Sequence, residues 1–168
     1  MIFKFLSKNF YISFSIVALI YFLDRLSKSY VIQLDKNNLG SDIFNSAYLN
    51  IVLIWNKGIA FGLLSFNESY LYNIISSIIA IIIIVLVIMS LKSQGFKRYS
   101  LLMIVGGALG NLHDRIFFNA VPDFIDFHIG NFHWFIFNVS DIFITLGVIS
   151  MIIVELIDKD KYNYDKNI

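Results

Sequence analysis

Aspartate is the residue type through which this chain has most chemistry to offer. Asp123 lies in an aromatic-rich run (DFIDF), and Asp141 follows Asn138 at the start of a later apolar segment. Two carboxyl groups held close together cannot both ionise readily, so such a pair tends to share one proton. The ionised member can take a proton from water as that water attacks an amide carbonyl. The protonated member can hydrogen-bond the developing oxyanion and then protonate the leaving nitrogen. Asp141 opens a helix, where the macrodipole favours the charged form. Apolar surroundings favour the protonated form of Asp123. A coupled pair titrates as a unit, so this division of labour is only a leaning.

Other catalytic chemistries have little support. The 168 residues include no Cys, which excludes disulfides, thiolate nucleophiles and Cys-based zinc sites. Asp126 and His128 alternate on one strand face, with His113 and His133 elsewhere, so a metal site can be imagined. No HExxH or comparable ligand spacing supports one, and the histidines read as interfacial or hydrogen-bonded residues. No metal and no cofactor is expected. A formal charge of +1 gives no indication of a nucleic-acid partner.

The elements that must position these groups belong to a membrane protein. The chain is 58% hydrophobic and 15% charged, with a mean hydropathy of +0.73. A soluble fold of this size has too little polar surface to cover so much apolar side chain, whereas a bilayer favours an apolar exterior. Crossing roughly 30 Å of hydrocarbon takes about 20 apolar residues. Segments at about 9–34, 70–91, 99–118 and 138–157 qualify, and the second carries no charge. Lys4 and Lys8 ahead of an apolar run have the outline of a cleavable leader. Asp24, Arg25 and Lys28 follow that run in place of a small-residue cleavage site, so it reads as a retained first helix.

Placing the N-terminus in the cytoplasm puts Lys4, Lys8, Lys92, Lys97, Arg98, Lys159, Lys161 and Lys166 inside, and leaves only Lys36 and Lys57 in the outer loops 35–69 and 119–137. Both termini are therefore expected to be cytoplasmic. The outer loops read as a small β-rich layer lying on the bilayer, with Trp55 and Trp134 at the interface. Residues 47–54 and 59–64 (IAFGLL) flank an Asn56-Lys57-Gly58 turn signal, and residues 121–127 and 132–137 flank a turn at 128–131. The expected fold is an all-α membrane protein, a single-domain four-helix bundle carrying this layer.

On that topology the polar groups meet at one depth. Asp24 and Lys28, at i, i+4, fall in the outer third of the first span. Asn111 and Arg115 share a stripe near the outer end of the third, with Gly107 a turn below and Asp114 beside them. Asp141 and Asn138 open the fourth span, and Asn56, Gly58, Asp123 and Asp126 lie in the outer loops. Ionisable groups within spans are expensive, so each needs a reason. Simpler roles remain open at this point. Asp24 and Lys28 can be helix-end anchors, and Gly106 and Gly110 form a small-xxx-small packing spacing. Asn138, Ser140 and Asp141 can cap a helix, and 158–166 reads as a solvated mixed-charge tail.

Five patches, in order and suitably spaced, resemble the lipoprotein signal peptidases (signal peptidase II) along essentially the whole chain. They are Asp24-Arg25-Leu26-Ser27-Lys28, residues 56–62 (NKGIAFG, similar to NxGxAFG), residues 106–115 (GGALGNLHDR), residues 121–127 (VPDFIDF) and residues 137–141 (FNVSD). The resemblance implies a catalytic dyad of Asp123 and Asp141. It implies a substrate site lined by Asn56, Gly58, Asn111, Arg115 and Asn138 and supported by Asp24 and Lys28. It further implies a membrane aspartyl endopeptidase of the bacterial inner membrane, active at its extracytoplasmic face. The substrate would be a diacylglyceryl-modified prolipoprotein, cleaved on the N-terminal side of the lipidated cysteine. Globomycin-type inhibitors would block the site, and a monomer bathed in membrane lipid is expected. Two positions depart from the family pattern. Pro122 stands where an aliphatic residue is usual, tolerable at a strand edge, and Ser140 replaces an alanine and brings a hydroxyl near the dyad. An ion-coupled transporter, the main rival, expects polar groups near the bilayer midplane and broken helices. A non-enzymatic scaffold has no use for a shielded carboxylate pair.

Overall fold

The computed structural model describes residues 8–37, 43–58 and 69–166. Four helices account for most of it: α1 (Lys8–Asn37), α2 (Ser69–Lys92), α3 (Gly95–Phe118) and α4 (Val139–Lys166). Each contains a stretch long and apolar enough to cross a membrane. The expected boundaries hold to within a few residues, except that α4 runs on through the charged stretch that read as a tail. Continuing a helix satisfies backbone groups internally, so solvation alone does not break it.

The helices are not equivalent. Half of the spanning window of α3 is buried, against 11% in each of the other three. α3 is therefore the central post, and α1, α2 and α4 pack around it. Small residues let it take that place. A Cβ on Gly107 would lie 2.5 Å from the Ser140 carbonyl oxygen, and one on Gly110 would lie 2.6 Å from an Asp24 carboxylate oxygen. Gly107 thus brings α4 close, and Gly110 makes room for a charged side chain as well as for packing. α2 shows the opposite pattern. Ile78, Ile81, Ile82, Ile84 and Ile88 all face outward, an exterior that hydrocarbon favours and water does not.

Between the helices lie β1 (Leu49–Asn56), β2 (Val121–Ile129) and β3 (Phe132–Phe137), in one antiparallel sheet of order β1-β2-β3. The expected pair of separate hairpins is therefore corrected in one respect. β1 pairs across the chain with β2, placing Trp55 opposite Pro122 and Asn56 opposite Val121, so a single sheet joins the two loops. The other strand of the first hairpin, residues 59–64, lies outside the described residues. The second hairpin is as expected, but its turn is only Gly130 and Asn131, with Gly130 at φ 58. A two-residue turn needs that positive φ, and it leaves His128 and Ile129 in the strand. Pro122 is buried in the middle strand, yet β3 pairs only from Ile125 onward. At Pro122 the sheet is two strands wide, so an absent N–H can face away from β1.

Candidate active site

The start of α4 organises the site. Asn138 precedes the helix as its cap, and its Oδ1 accepts from the Asp141 N–H at 3.2 Å. The Asp141 carboxylate returns the bond, with Oδ2 accepting from the Asn138 N–H at 3.1 Å. This reciprocal arrangement is the capping-box geometry, built here from Asn and Asp. The Asn138 side-chain amide points the other way and donates from Nδ2 to Asp123 Oδ1 at 2.6 Å. One residue therefore touches both candidate catalytic carboxylates, Asp123 from β2 and Asp141 from α4.

Two further amides complete the shell. Asn56, at the end of β1, donates from Nδ2 to Asp123 Oδ2 at 2.9 Å, while its Oδ1 accepts from the Gly58 N–H at 2.8 Å. Asn111 of α3 donates from Nδ2 to Asp141 Oδ1 at 2.8 Å, while its Oδ1 accepts from Lys28 Nζ at 2.9 Å. Each amide has its orientation fixed by the bond at its oxygen. Each of the four carboxylate oxygens thus receives one N–H and keeps a lone pair for a proton or a water. Among the described residues no cation pairs with either group. Burial pushes the Asp123 carboxyl up to about 6, helped by the nearby Asp141 charge and opposed by the Asn56 and Asn138 donors.

Beneath the pair lies a second carboxylate set. Asp24 and Asp114 are fully buried, and Lys28 is 1% exposed. Lys28 Nζ reaches Asp24 Oδ1 at 2.9 Å and Asp114 Oδ2 at 2.6 Å. Arg25 grips Asp114 through both ends of its guanidinium, at 2.6 and 2.7 Å, and Asp24 at 2.6 Å. The Ser140 N–H, in the first turn of α4, donates to Asp24 Oδ1 at 3.0 Å. Two anions and two cations cancel, and the cluster ties α1 to α3 and to the start of α4. Burial of this depth excludes the reading of Asp24 and Lys28 as helix-end anchors. Arg25 and Asp114 are the partners that sequence reasoning did not single out. Charge balance was the available signal, because two acids and two bases close to hydrocarbon must neutralise one another.

Arg115 stands apart from that cluster. Its NH2 donates to the Gly58 carbonyl at 2.7 Å and its guanidinium lies over the Tyr72 ring at 5.4 Å. Its NH1 is buried with no partner, as is the Tyr72 hydroxyl. The Ser140 hydroxyl has no hydrogen-bond partner and crowds Gly110, so it bonds neither candidate carboxylate. The remainder of the NxGxAFG-like motif, residues 59–62, lies outside the described residues.

Taken together, these features define a four-helix membrane protein with an amide-cradled carboxylate pair where the bundle meets a small sheet. The model of the family described as signal peptidase (SPase) II matches residues 16–157, and the chain belongs to this family of membrane peptidases. It is 48% identical over 160 residues to the lipoprotein signal peptidase of Pelagibacter ubique, covering 95% of this chain and 96% of that one. It is 43% identical over 144 residues to the lipoprotein signal peptidase of Anaplasma phagocytophilum, covering 84% and 89%. A bacterial membrane enzyme solved by the in meso method at 2.3 Å resolution superposes with a TM-score of 0.72 at 32% identity, covering 89% of this chain and 90% of its own.

Proposed function

We propose that this protein is an aspartyl endopeptidase, a single membrane domain that removes the signal peptide from diacylglyceryl-modified prolipoproteins on the N-terminal side of the lipidated cysteine. The observation that carries the proposal is the bridging of Asp123 and Asp141 by Asn138, with every carboxylate oxygen met by an amide N–H and, among the described residues, none by a cation. Neutral donors orient two carboxyls without forcing both to ionise, which is what a pair sharing one proton requires.

In the reaction, ionised Asp141 takes a proton from a water held between the carboxyls. The oxygen of that water forms a bond to the scissile carbonyl carbon, and Asp123 hydrogen-bonds the developing oxyanion. Collapse breaks the C–N bond as a carboxyl proton passes to the cysteine nitrogen, leaving the pair with one shared proton again. Asn56, Gly58, Asn111, Arg115 and Asn138 line the substrate site, where the unpartnered NH1 of Arg115 is available to a substrate carbonyl. Asp24 and Lys28 support it through Asn111.

The distribution of Lys and Arg supports cytoplasmic termini and an active site at the extracytoplasmic face of the bacterial inner membrane. At that depth a lipid anchor on the substrate cysteine holds the scissile bond beside the pair. The monomer is the working unit, no cofactor is required, and a globomycin-type cyclic peptide competes for the site. The test is gel shift of a diacylglyceryl-prolipoprotein by the purified protein, alone and with Asp123→Asn or Asp141→Asn. Both variants insert and fold yet fail to cleave; near-normal turnover by either removes the dyad.

A further inference from the structure

The β2–β3 hairpin carries a group of side chains that the proposed reaction does not use. Asp126 and His128 lie two apart on β2, and His133 on β3 is the cross-strand partner of His128. A register shift between Asp126 and His128 bends the strand there, and bulges of this kind re-aim side chains. One ligand atom from each of the three residues lies within 4.8 Å of the others. The buried Asp126 carboxylate faces His133 Nδ1 at 2.8 and 3.0 Å and accepts from Asn50 Nδ2 at 3.3 Å. The two imidazoles stack, with centroids 5.0 Å apart and planes 21° from parallel.

A separate observation comes from the other ring. His128 Nδ1 is enclosed and has no hydrogen-bond partner. Buried polar nitrogens are normally satisfied, so one left without a partner beside a carboxylate and a second imidazole calls for an explanation. Among the described residues the Asp126 carboxylate has no Lys or Arg against it either; its charged neighbour is His133, a cation only when protonated.

We propose that Asp126, His128 and His133 bind a borderline divalent transition-metal cation of the zinc, cobalt or nickel type. Two imidazole nitrogens and one carboxylate oxygen form a ligand set that suits such ions, whereas magnesium and calcium prefer oxygen alone. Three protein ligands leave a fourth position for water. The cation takes the place of the hydrogen bond between Asp126 and His133, with the His133 tautomer that carries its hydrogen on Nε2 supplying Nδ1 as the ligand. Bound there, the ion clasps β3 to β2 three residues from Asp123. The site is independent of the peptidase reading, because none of its ligands touches the Asp123 and Asp141 pair.

The background for a test is low, since the chain has three histidines and no cysteine. The remaining histidine, His113, is on α3 and hydrogen-bonded to Tyr21 at 2.8 Å. The full-length protein, purified on a tag without histidine and stripped with chelator, is titrated with Co2+ and followed by visible absorption. One Co2+ per chain is expected, displaced by Zn2+ and unaffected by equal concentrations of Mg2+ or Ca2+. His128→Ala and His133→Ala each weaken binding by at least about tenfold, while His113→Ala binds as the parent does. His133→Gln, which retains a hydrogen-bonding group toward Asp126, loses the cobalt spectrum as well. Helical circular dichroism of each variant is read alongside. Absence of a stoichiometric cobalt spectrum, or equal binding by the His128 and His133 variants, overturns the assignment.

Discussion

Two pairs of aspartates meet where the bundle joins the sheet, and they live in two different electrical settings. Asp24 and Asp114 are locked to Arg25 and Lys28 with no solvent around them. Among the described residues Asp123 and Asp141 take hydrogen bonds from amides alone. The first pair is gripped by full charges, and its value is mechanical. The second is held in place by dipoles, which orient a carboxyl while leaving its proton free to move. Asn111 is the joint between them, taking a hydrogen bond from Lys28 and giving one to Asp141. The contrast teaches that residue type does not assign the work of an aspartate here. Its partners do.

Substitutions that exchange or blur those settings test the contrast. The largest effect belongs to Asp123→Asn and Asp141→Asn, each of which lowers cleavage by at least about a thousandfold, near the upper part of the range for general acid–base groups, with little change in thermal midpoint. Lys28→Met does the reverse. Removing one partner of a buried ion set costs about 3–5 kcal/mol, so the thermal midpoint falls sharply and activity is lost with the fold. If Lys28→Met stays as stable as the parent, the mechanical role of the lower cluster is wrong.

Arg115→Ala comes next. Its contacts to the Gly58 carbonyl and Tyr72 are few and its NH1 is idle, so turnover or substrate binding falls by about ten- to a hundredfold, the scale of one charge-assisted hydrogen bond. The thermal midpoint moves much less, and equal losses argue for a structural role. Asn56→Ala has the smallest and most diagnostic effect. Its N–H favours ionised Asp123, so removing it raises the pKa further. The alkaline limb of kcat/KM then moves to higher pH by about half a unit to one unit, the worth of one hydrogen bond. A downward shift breaks the assignment. Stability carries the same sign. Asp123 holds its proton in the folded state up to about pH 6, against an ordinary value of 3.8. The folded state thus binds more protons across that window, and stability declines as pH rises through it. Asp123→Asn flattens this slope.

Much of this was legible in the residues, for identifiable reasons. Uninterrupted apolar runs have one main use, so the four helices are legible, although nothing apolar marks how far α4 runs on beyond residue 157. Asp24 with Lys28 and Asn111 with Arg115 were readable as face-sharing pairs because helical spacing is fixed. What escaped was whatever depends on contacts distant in sequence. Nothing local announces that β1 pairs with β2, or that Arg25 crosses to Asp114. Nothing local says that His133 will face Asp126, because a strand's neighbour is set by how the loops fold over the bundle. Only Gly130 and Asn131 leave the strands, because His128 and Ile129 suit turn and strand equally and cross-strand pairing claims them. Ser140 precedes Asp141 directly, yet successive residues in a helical turn point in different directions, and its hydroxyl bonds neither acid.

Asn138 stabilises the first turn of α4 and also spans the two acids, using its main chain for one and its side chain for the other. In the proposed reaction, secondary structure and proton chemistry consequently share a hinge pin. Lengthening the two-residue spacer between Asn138 and Asp141 by a single position would rotate the second acid by roughly 100° around the helix axis, silencing the enzyme while leaving every membrane span intact.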